Sequence, residues 1–207
     1  MSATSKVFLI DDDIEVRKLL ATSLEYHDFQ VEEFASAEAF LDFTESEIAG
    51  CILLDMKMPG MNGLQLQQAL IERNIHTPII FITAHGVVAQ SAKAFKAGAF
   101  DFLEKPFSQE LLVKTIKLAF EKDQQVREKL ALKIEYRARF EKLTTRESEI
   151  MRMLIEGSAN HSSKAIAKQL NVSPRTIEHH RTRILEKTKA HSVAELVKFA
   201  GLAELDF

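Results

Sequence analysis

Short apolar runs alternate with longer amphipathic segments through the first part of the chain. Five runs read as strands: KVFLI at 6–10, VEEF at 31–34, CILL at 51–54, PIIFI at 78–82 and FDFL at 100–103. Between them, apolar positions recur at helical spacing. Val16, Leu19, Leu20 and Leu24 share one face, and Leu111, Leu112, Ile116 and Phe120 share another. Five strands alternating with five helices predict a doubly wound α/β domain, a parallel sheet covered on both faces. Such domains bind ligands outside the carboxyl ends of their strands.

The pattern changes at residue 121. The segment EKDQQVREKLALKIEYRARFEK, residues 121–142, has no Gly or Pro and is rich in Glu, Lys, Arg and Gln. It predicts a long linker helix that continues the one before it. Val126, Leu130 and Ile134 mark an apolar seam on it, too short for a coiled coil. Beyond Leu143 the spacing predicts short helices joined by tight turns, a small all-α domain. LTTRESEIMRMLIEG opens with a capping box from Thr144 to Glu147, shows Ile150, Met151, Leu154 and Ile155 on one face, and stops at Gly157. SSKAIAKQLNV predicts a second short helix with a serine cap. SPRTIEHHRTRILEKTK places Ser173 at the N-cap and Pro174 at the first helical position. Helix, short turn and basic helix together read as a helix-turn-helix, although a small bundle with a solvated basic face has the same pattern. The expected divisions are a domain at 1–122, a helical linker at 123–142 and a second domain at 143–207.

Charge supports two domains with different partners. The net charge of −3 conceals −7 over residues 1–120 and +4 over residues 121–207, and residues 164–189 alone carry +5. That local basic excess suits a phosphate-facing surface. The one cysteine, Cys51, excludes a disulfide framework; in GCILLD it reads as a core side chain, and a reducing cytoplasmic compartment fits. MSATSK has no apolar signal region and no stretch approaches a membrane span, so no membrane partner is expected.

Candidate chemistry gathers at the strand ends. The first strand ends at Asp11, Asp12 and Asp13, the third at Asp55, the fourth at Thr83 and Ala84, and the fifth near Lys105. Each residue alone has an ordinary explanation: a solvated turn, a helix cap, an exposed lysine. Their convergence on one edge points to a site. Asp12 and Asp55 suit a hard cation, and Mg²⁺ asks for few protein ligands because it keeps waters and phosphate oxygens. A carboxylate beside it can attack phosphorus and form an acyl phosphate, with Lys105 and Thr83 holding phosphoryl oxygens.

The blocks FLIDDD, LLDMKMPGMNG, FITAHG and FLEKPF, in that order, resemble the receiver domain of two-component response regulators across about residues 5–122. The resemblance implies a flavodoxin-like fold and gives each residue a role. Asp55 would be the phosphoacceptor. Asp12 would ligate Mg²⁺ directly, Asp11 through water, and Lys57 through its backbone carbonyl. Thr83, Ala84 and Lys105 would contact the phosphoryl group, and Phe102 would be the switch aromatic. Asp13 would face solvent or cap a helix, and the Lys105–Pro106 bond would be cis. Met56, Met58 and Met61 are explained by loop packing.

At about 100° per residue, Ile177 and Ile184 face inward on the basic helix. His180 lies beside them and reads as a packed, hydrogen-bonded histidine. Arg175, Glu178, His179, Thr182 and Glu186 lie opposite. Glu178, His179 and Thr182 are the candidates for base edges; Arg175, Thr176, Arg183 and Lys187 suit phosphates. His179 and His180 are adjacent and point apart, so they form no metal ligand set. LTTRESEIMRMLIEG, IAKQLNVSPRTIEHHRTRILEKTKAHS and SVAELVKFA resemble the LuxR-type DNA-binding domain over residues 143–200. The whole chain is similar to the NarL/FixJ family, and ITAHG with AFKAGAFDFLEKPF leans to its FixJ branch. The stretch between Gly157 and Ala167 is longer than the family pattern, which unsettles the start of the helix before the turn and any contact by Lys164.

The resemblance implies a phosphorylation-activated transcriptional regulator rather than an enzyme. Its partners would be a sensor histidine kinase, a double-stranded DNA operator and a second copy of itself, paired on phosphorylation through the fourth helix (about 87–97) and fifth strand. RNA polymerase is a further candidate. Two other functions compete. A Mg²⁺-dependent aspartyl-phosphate phosphatase would need a second acid after the nucleophile, and DMKMP offers none. A constitutive DNA-binding protein would use its receiver only for pairing.

Overall fold

The computed structural model describes residues 6–44, 48–83, 94, 96–156 and 162–205. They form two compact units, residues 1–126 and 127–207.

In the first unit the strands are β1 (Lys6–Ile10), β2 (Gln30–Phe34), β3 (Gly50–Asp55), β4 (Ile79–Thr83) and β5 (Asp101–Glu104). They pair in parallel in the order β2-β1-β3-β4-β5. This is the expected doubly wound sheet, and its order reverses between β1 and β3, where a crevice opens at the carboxyl ends. Side chains alternate across it. Phe8, Ile10, Ile52, Leu54 and Phe81 enter one core; Val7, Leu9, Leu53, Ile80 and Ile82 enter the other. Burial on both sides is why the central strands read as near-continuous apolar runs. Cys51 is a buried core side chain, and burial pushes its thiol up, away from reactivity.

Helices α1 (Ile14–Glu25), α2 (Ala37–Phe43), α3 (Gly63–Glu72) and α4 (Gln109–Phe140) follow. The fourth helix expected near 87–97 lies almost wholly outside the described residues. Asp13 caps α1, accepting from the backbone N–H groups of Glu15 at 2.8 Å and Val16 at 3.3 Å. Two expected core positions prove exposed. Leu19 is 73% accessible because Leu20, Ala21 and Leu24 centre the buried face of α1 beyond it. Leu111 is exposed because Leu112, Ile116 and Ala119 centre the buried face of α4. At the foot of the sheet, Gly50 has φ +142°, and a Cβ there would lie 1.9 Å from the Lys6 carbonyl oxygen. Its N–H donates to the buried Asp123 of α4 at 3.0 Å, which ties that helix to the start of β3.

α4 is continuous through the segment expected as a linker, and its last turns belong to the second unit. The expected seam does not pack as drawn: Leu130 and Ile134 are exposed, whereas Tyr136 and Phe140 join the core. Tyr136 stacks on Phe199 at 4.4 Å, and Arg137 donates to the Ala203 and Glu204 carbonyls at 2.8 and 3.2 Å. The unit is completed by α5 (Thr145–Glu156), α6 (Ser163–Gln169), α7 (Pro174–Thr188) and α8 (Val193–Leu202). Ile150, Ile166, Ile177, Ile184 and Leu196 are its fully buried centre. Ser173 caps α7 and Pro174 opens it, as the sequence predicts. Asn171, at φ +50°, makes the turn between α6 and α7, closed by Val172 N–H donating to the Ala167 carbonyl at 3.0 Å. Most of the long connection after Glu156, residues 157–161, lies outside the described residues.

Candidate functional site

Parallel pairing of β1, β3, β4 and β5 aligns their carboxyl ends, so residues far apart in the chain meet there. Asp11 follows β1 and is buried; one of its carboxylate oxygens accepts the Asp13 N–H at 2.9 Å. Asp55 ends β3 and accepts the Lys57 N–H at 2.6 Å. Lys105 follows β5, and its Nζ stands 3.4 Å from an oxygen of each carboxylate. The ammonium therefore bridges Asp11 and Asp55 across the β1–β3 crevice.

Burial raises the pKa of Asp55, since charge is costly away from water, and the nearby Asp11 adds to the rise. The Lys57 N–H and the Lys105 ammonium pull the other way without cancelling it. Thr83 is buried at the end of β4, and the Lys105 N–H donates to its carbonyl at 2.9 Å. Phe102, in β5, stacks on Phe81 with centroids 5.2 Å apart and planes at 13°. The Lys105–Pro106 bond is cis. Asp12 is exposed, Lys57 lies in an exposed turn, and Ala84 lies outside the described residues.

Among the described residues no three carboxylate, imidazole or thiol groups form a ready cage for a metal. The donor chemistry nevertheless suits Mg²⁺. Two carboxylates already share one cation, the Lys105 ammonium, and Mg²⁺ needs few protein oxygens.

Two further residues brace this edge, Arg17 outside the four motifs and Gly63 at the end of the second. Arg17 of α1 donates from a terminal nitrogen to the Asp11 carbonyl at 2.7 Å, while its Nε lies 3.5 Å from Glu33. Gly63, opening α3, sits so close that a Cβ would fall 2.6 Å from the Asp55 carbonyl oxygen. Sequence reasoning missed Arg17; its place one turn past the Asp13 cap, on the helix entering the acidic edge, was the available signal.

The second constellation is α7. Arg175, Glu178, His179, Thr182 and Glu186 are exposed, as the helical phase predicts, Thr176 and Arg183 are exposed as well, and Ile177 and Ile184 are buried. Thr182 donates its hydroxyl to the Glu178 carbonyl at 3.1 Å, and Ser163 of α6 donates to the Glu178 carboxylate. Two expectations change. Lys187, assigned to a phosphate, is held by Glu147 of α5 at 2.6 Å, because that buried carboxylate requires a cation. Glu147 also accepts the Thr144 N–H at 2.8 Å and hydroxyl at 2.9 Å. Burial alone would raise its pKa, but the bonds from Lys187 and Thr144 outweigh it and hold it at about 2. His180 is packed as expected, yet its buried Nδ1 has no hydrogen-bond partner among the described residues, since the packing beside Ile177 and Ile184 is apolar.

Residues 7–117 match the response regulator receiver domain, and residues 141–200 match the luxR family of bacterial regulatory proteins. The chain is 40% identical over 195 residues to the transcriptional regulatory protein TdiR of Thauera aromatica, covering 94% of this chain and 85% of TdiR. It is 38% identical over 194 residues to the transcriptional regulatory protein FixJ of Rhizobium meliloti, covering 94% of each. The structure of the response regulator StyR superimposes with a TM-score of 0.84 at 36% identity, over 96% of this chain and 99% of StyR. A receiver joined to a LuxR-type domain implies a histidine kinase and DNA as partners and does not favour the phosphatase or constitutive readings. With both modules matched and relatives similar over nearly their whole length, the chain belongs to the NarL/FixJ family of response regulators, transcriptional regulators activated by phosphorylation.

Proposed function

We propose that Asp55 accepts a phosphoryl group from the phosphohistidine of a sensor histidine kinase and that this pairs two copies of the chain on a two-half-site operator. The observation that carries the reading is the Lys105 ammonium bridging Asp11 and Asp55 at the sheet's switch point. The Asp55 carboxylate attacks phosphorus, the P–N bond breaks as the P–O bond forms, and the proton needed by the departing imidazole comes from solvent. Lys105 then turns from the carboxylates to the phosphoryl oxygens, with Thr83 and the Ala84 backbone as their other contacts. Mg²⁺, bound by Asp11, Asp12, Asp55 and the Lys57 carbonyl, would neutralise charge on the incoming group. Phe102 follows Thr83 inward and reshapes the face used for pairing.

In this reading residues 1–122 receive the signal, 123–142 link, and 143–207 bind DNA in the cytoplasm. Among the described residues no helix is long and apolar enough to cross a membrane. Glu178, His179 and Thr182 read base edges, and Arg175, Thr176 and Arg183 hold phosphates. RNA polymerase is the further protein a promoter-bound dimer would meet. The test is a phosphate-affinity gel with a small phosphodonor. A shift should require Mg²⁺ and vanish in Asp55→Asn; an equal shift in that variant or in EDTA would refute the assignment. Sedimentation velocity with beryllofluoride tests pairing: a monomer that nevertheless gains operator affinity would refute the dimer switch.

A further inference from the structure

We propose that Ser163 is a specificity-positioning residue. Its hydroxyl holds the Glu178 carboxylate so that α7 meets DNA with an oriented acceptor, which selects a base with a major-groove amino group, cytosine N4 before adenine N6. The inference rests on Glu178 reading a base edge.

The two serines that open α6 do different work. Ser162 is the N-cap, its Oγ accepting the Ala165 N–H. With the helix end already served, Ser163 can direct its hydroxyl outward, and it donates across the turn to Glu178 of α7. Glu178 is exposed, and among the described residues no Lys or Arg pairs with its carboxylate. An unneutralised carboxylate on a basic helix repels DNA phosphates. It gains only where a donor on a base meets it, so its contribution is discrimination rather than affinity.

An ionised carboxylate has about four lone-pair directions and no donor. Ser163 uses one and leaves the others to the groove. Cytosine N4 and adenine N6 can satisfy them; guanine O6 and thymine O4 face the carboxylate as acceptors and are rejected. A free glutamate would have to freeze its side-chain torsions to make that contact, whereas Ser163 restricts them beforehand. One turn on, Thr182 spends its hydroxyl proton on the Glu178 carbonyl. It therefore meets the groove as an acceptor and a methyl group, so neither residue offers a donor.

Operator selection from randomised DNA, with full-length protein bound to beryllofluoride, tests this. Wild type should show one position at which a single orientation of a base pair dominates, C·G before A·T. Glu178→Ala should erase that preference and bind non-specific DNA more tightly. Ser163→Ala keeps the charge, so non-specific affinity should hold, while preference at that position alone falls about fivefold, the factor for one net hydrogen bond. Ser163→Thr should restore it. Circular dichroism melts keep any folding defect separate. Full preference in Ser163→Ala, with Glu178→Ala altered, would overturn the inference alone. Unchanged preference in Glu178→Ala would overturn base reading by Glu178 and the inference with it. A Glu178-dependent position that accepts both orientations of its base pair, or that prefers A·T to C·G, would overturn the selection rule.

Discussion

Replacing Glu147 by glutamine removes one charge from the second unit and almost nothing else. Gln keeps an oxygen to accept the Thr144 N–H, so the capping box at the start of α5 survives. What goes is the ion pair that ties α5 to the end of α7 through Lys187 at 2.6 Å. Breaking a fully buried pair costs about 3–5 kcal/mol. Here the carboxylate is 3% accessible but the Lys187 side chain is 34% accessible, so the freed ammonium rehydrates. Glu147→Gln should therefore cost about 1–2 kcal/mol. Glu147→Ala also loses the cap, adding about 1 kcal/mol. Lys187→Met should exceed Glu147→Gln at neutral pH, because it leaves a buried carboxylate without its cation.

The pH dependence has a definite sign. A carboxyl held at about 2 when folded, against 4.5 ordinarily, stabilises fully above 4.5 and loses that contribution as pH falls toward 2. Wild type and Glu147→Gln should differ most near neutrality and converge in acid. Scanning calorimetry of the full chain, following the transition of the second unit, should show Glu147→Gln melting about 5–15 °C lower at neutral pH. Operator affinity should fall while base preference stays. A melting difference below about 2 °C at neutral pH, or one that persists unchanged at pH 3, would refute the reasoning.

Lys105→Ala should bind Mg²⁺ at least as tightly as wild type, since a competing cation leaves Asp11 and Asp55, yet lose phosphorylation-dependent operator binding; calorimetric titration and gel shifts read the two effects. Arg17→Ala should weaken Mg²⁺ binding several-fold although it removes a positive charge, because Asp11 loses the donor on its carbonyl; tighter binding would show that charge alone matters. Gly63→Ala should slow phosphorylation of Asp55, since a Cβ must displace the Asp55 carbonyl 2.6 Å away; an unchanged rate on a phosphate-affinity gel would show that the loop gives freely.

Where signals are local, the sequence alone decided much. The apolar runs set β1, β3 and β4 to within a residue or two, because a strand buried on both faces is written in consecutive residues. Ser173, Pro174 and the Thr144–Glu147 box marked helix starts, because capping acts within one turn. Parallel topology then set Asp11, Asp55, Thr83 and Lys105 at neighbouring strand ends. Tertiary structure alone decided the rest. Leu19 and Ile134 share a helical period with core residues, yet the faces that docked turned them to solvent. Arg17 on the Asp11 carbonyl, Ser163 on Glu178 and Lys187 on Glu147 join residues on different elements. Lys187 follows the same helical phase whether it meets a phosphate or a buried carboxylate. Only the closing of α5 on α7 brings Glu147 out of water, and a charge removed from water takes the cation nearest to it.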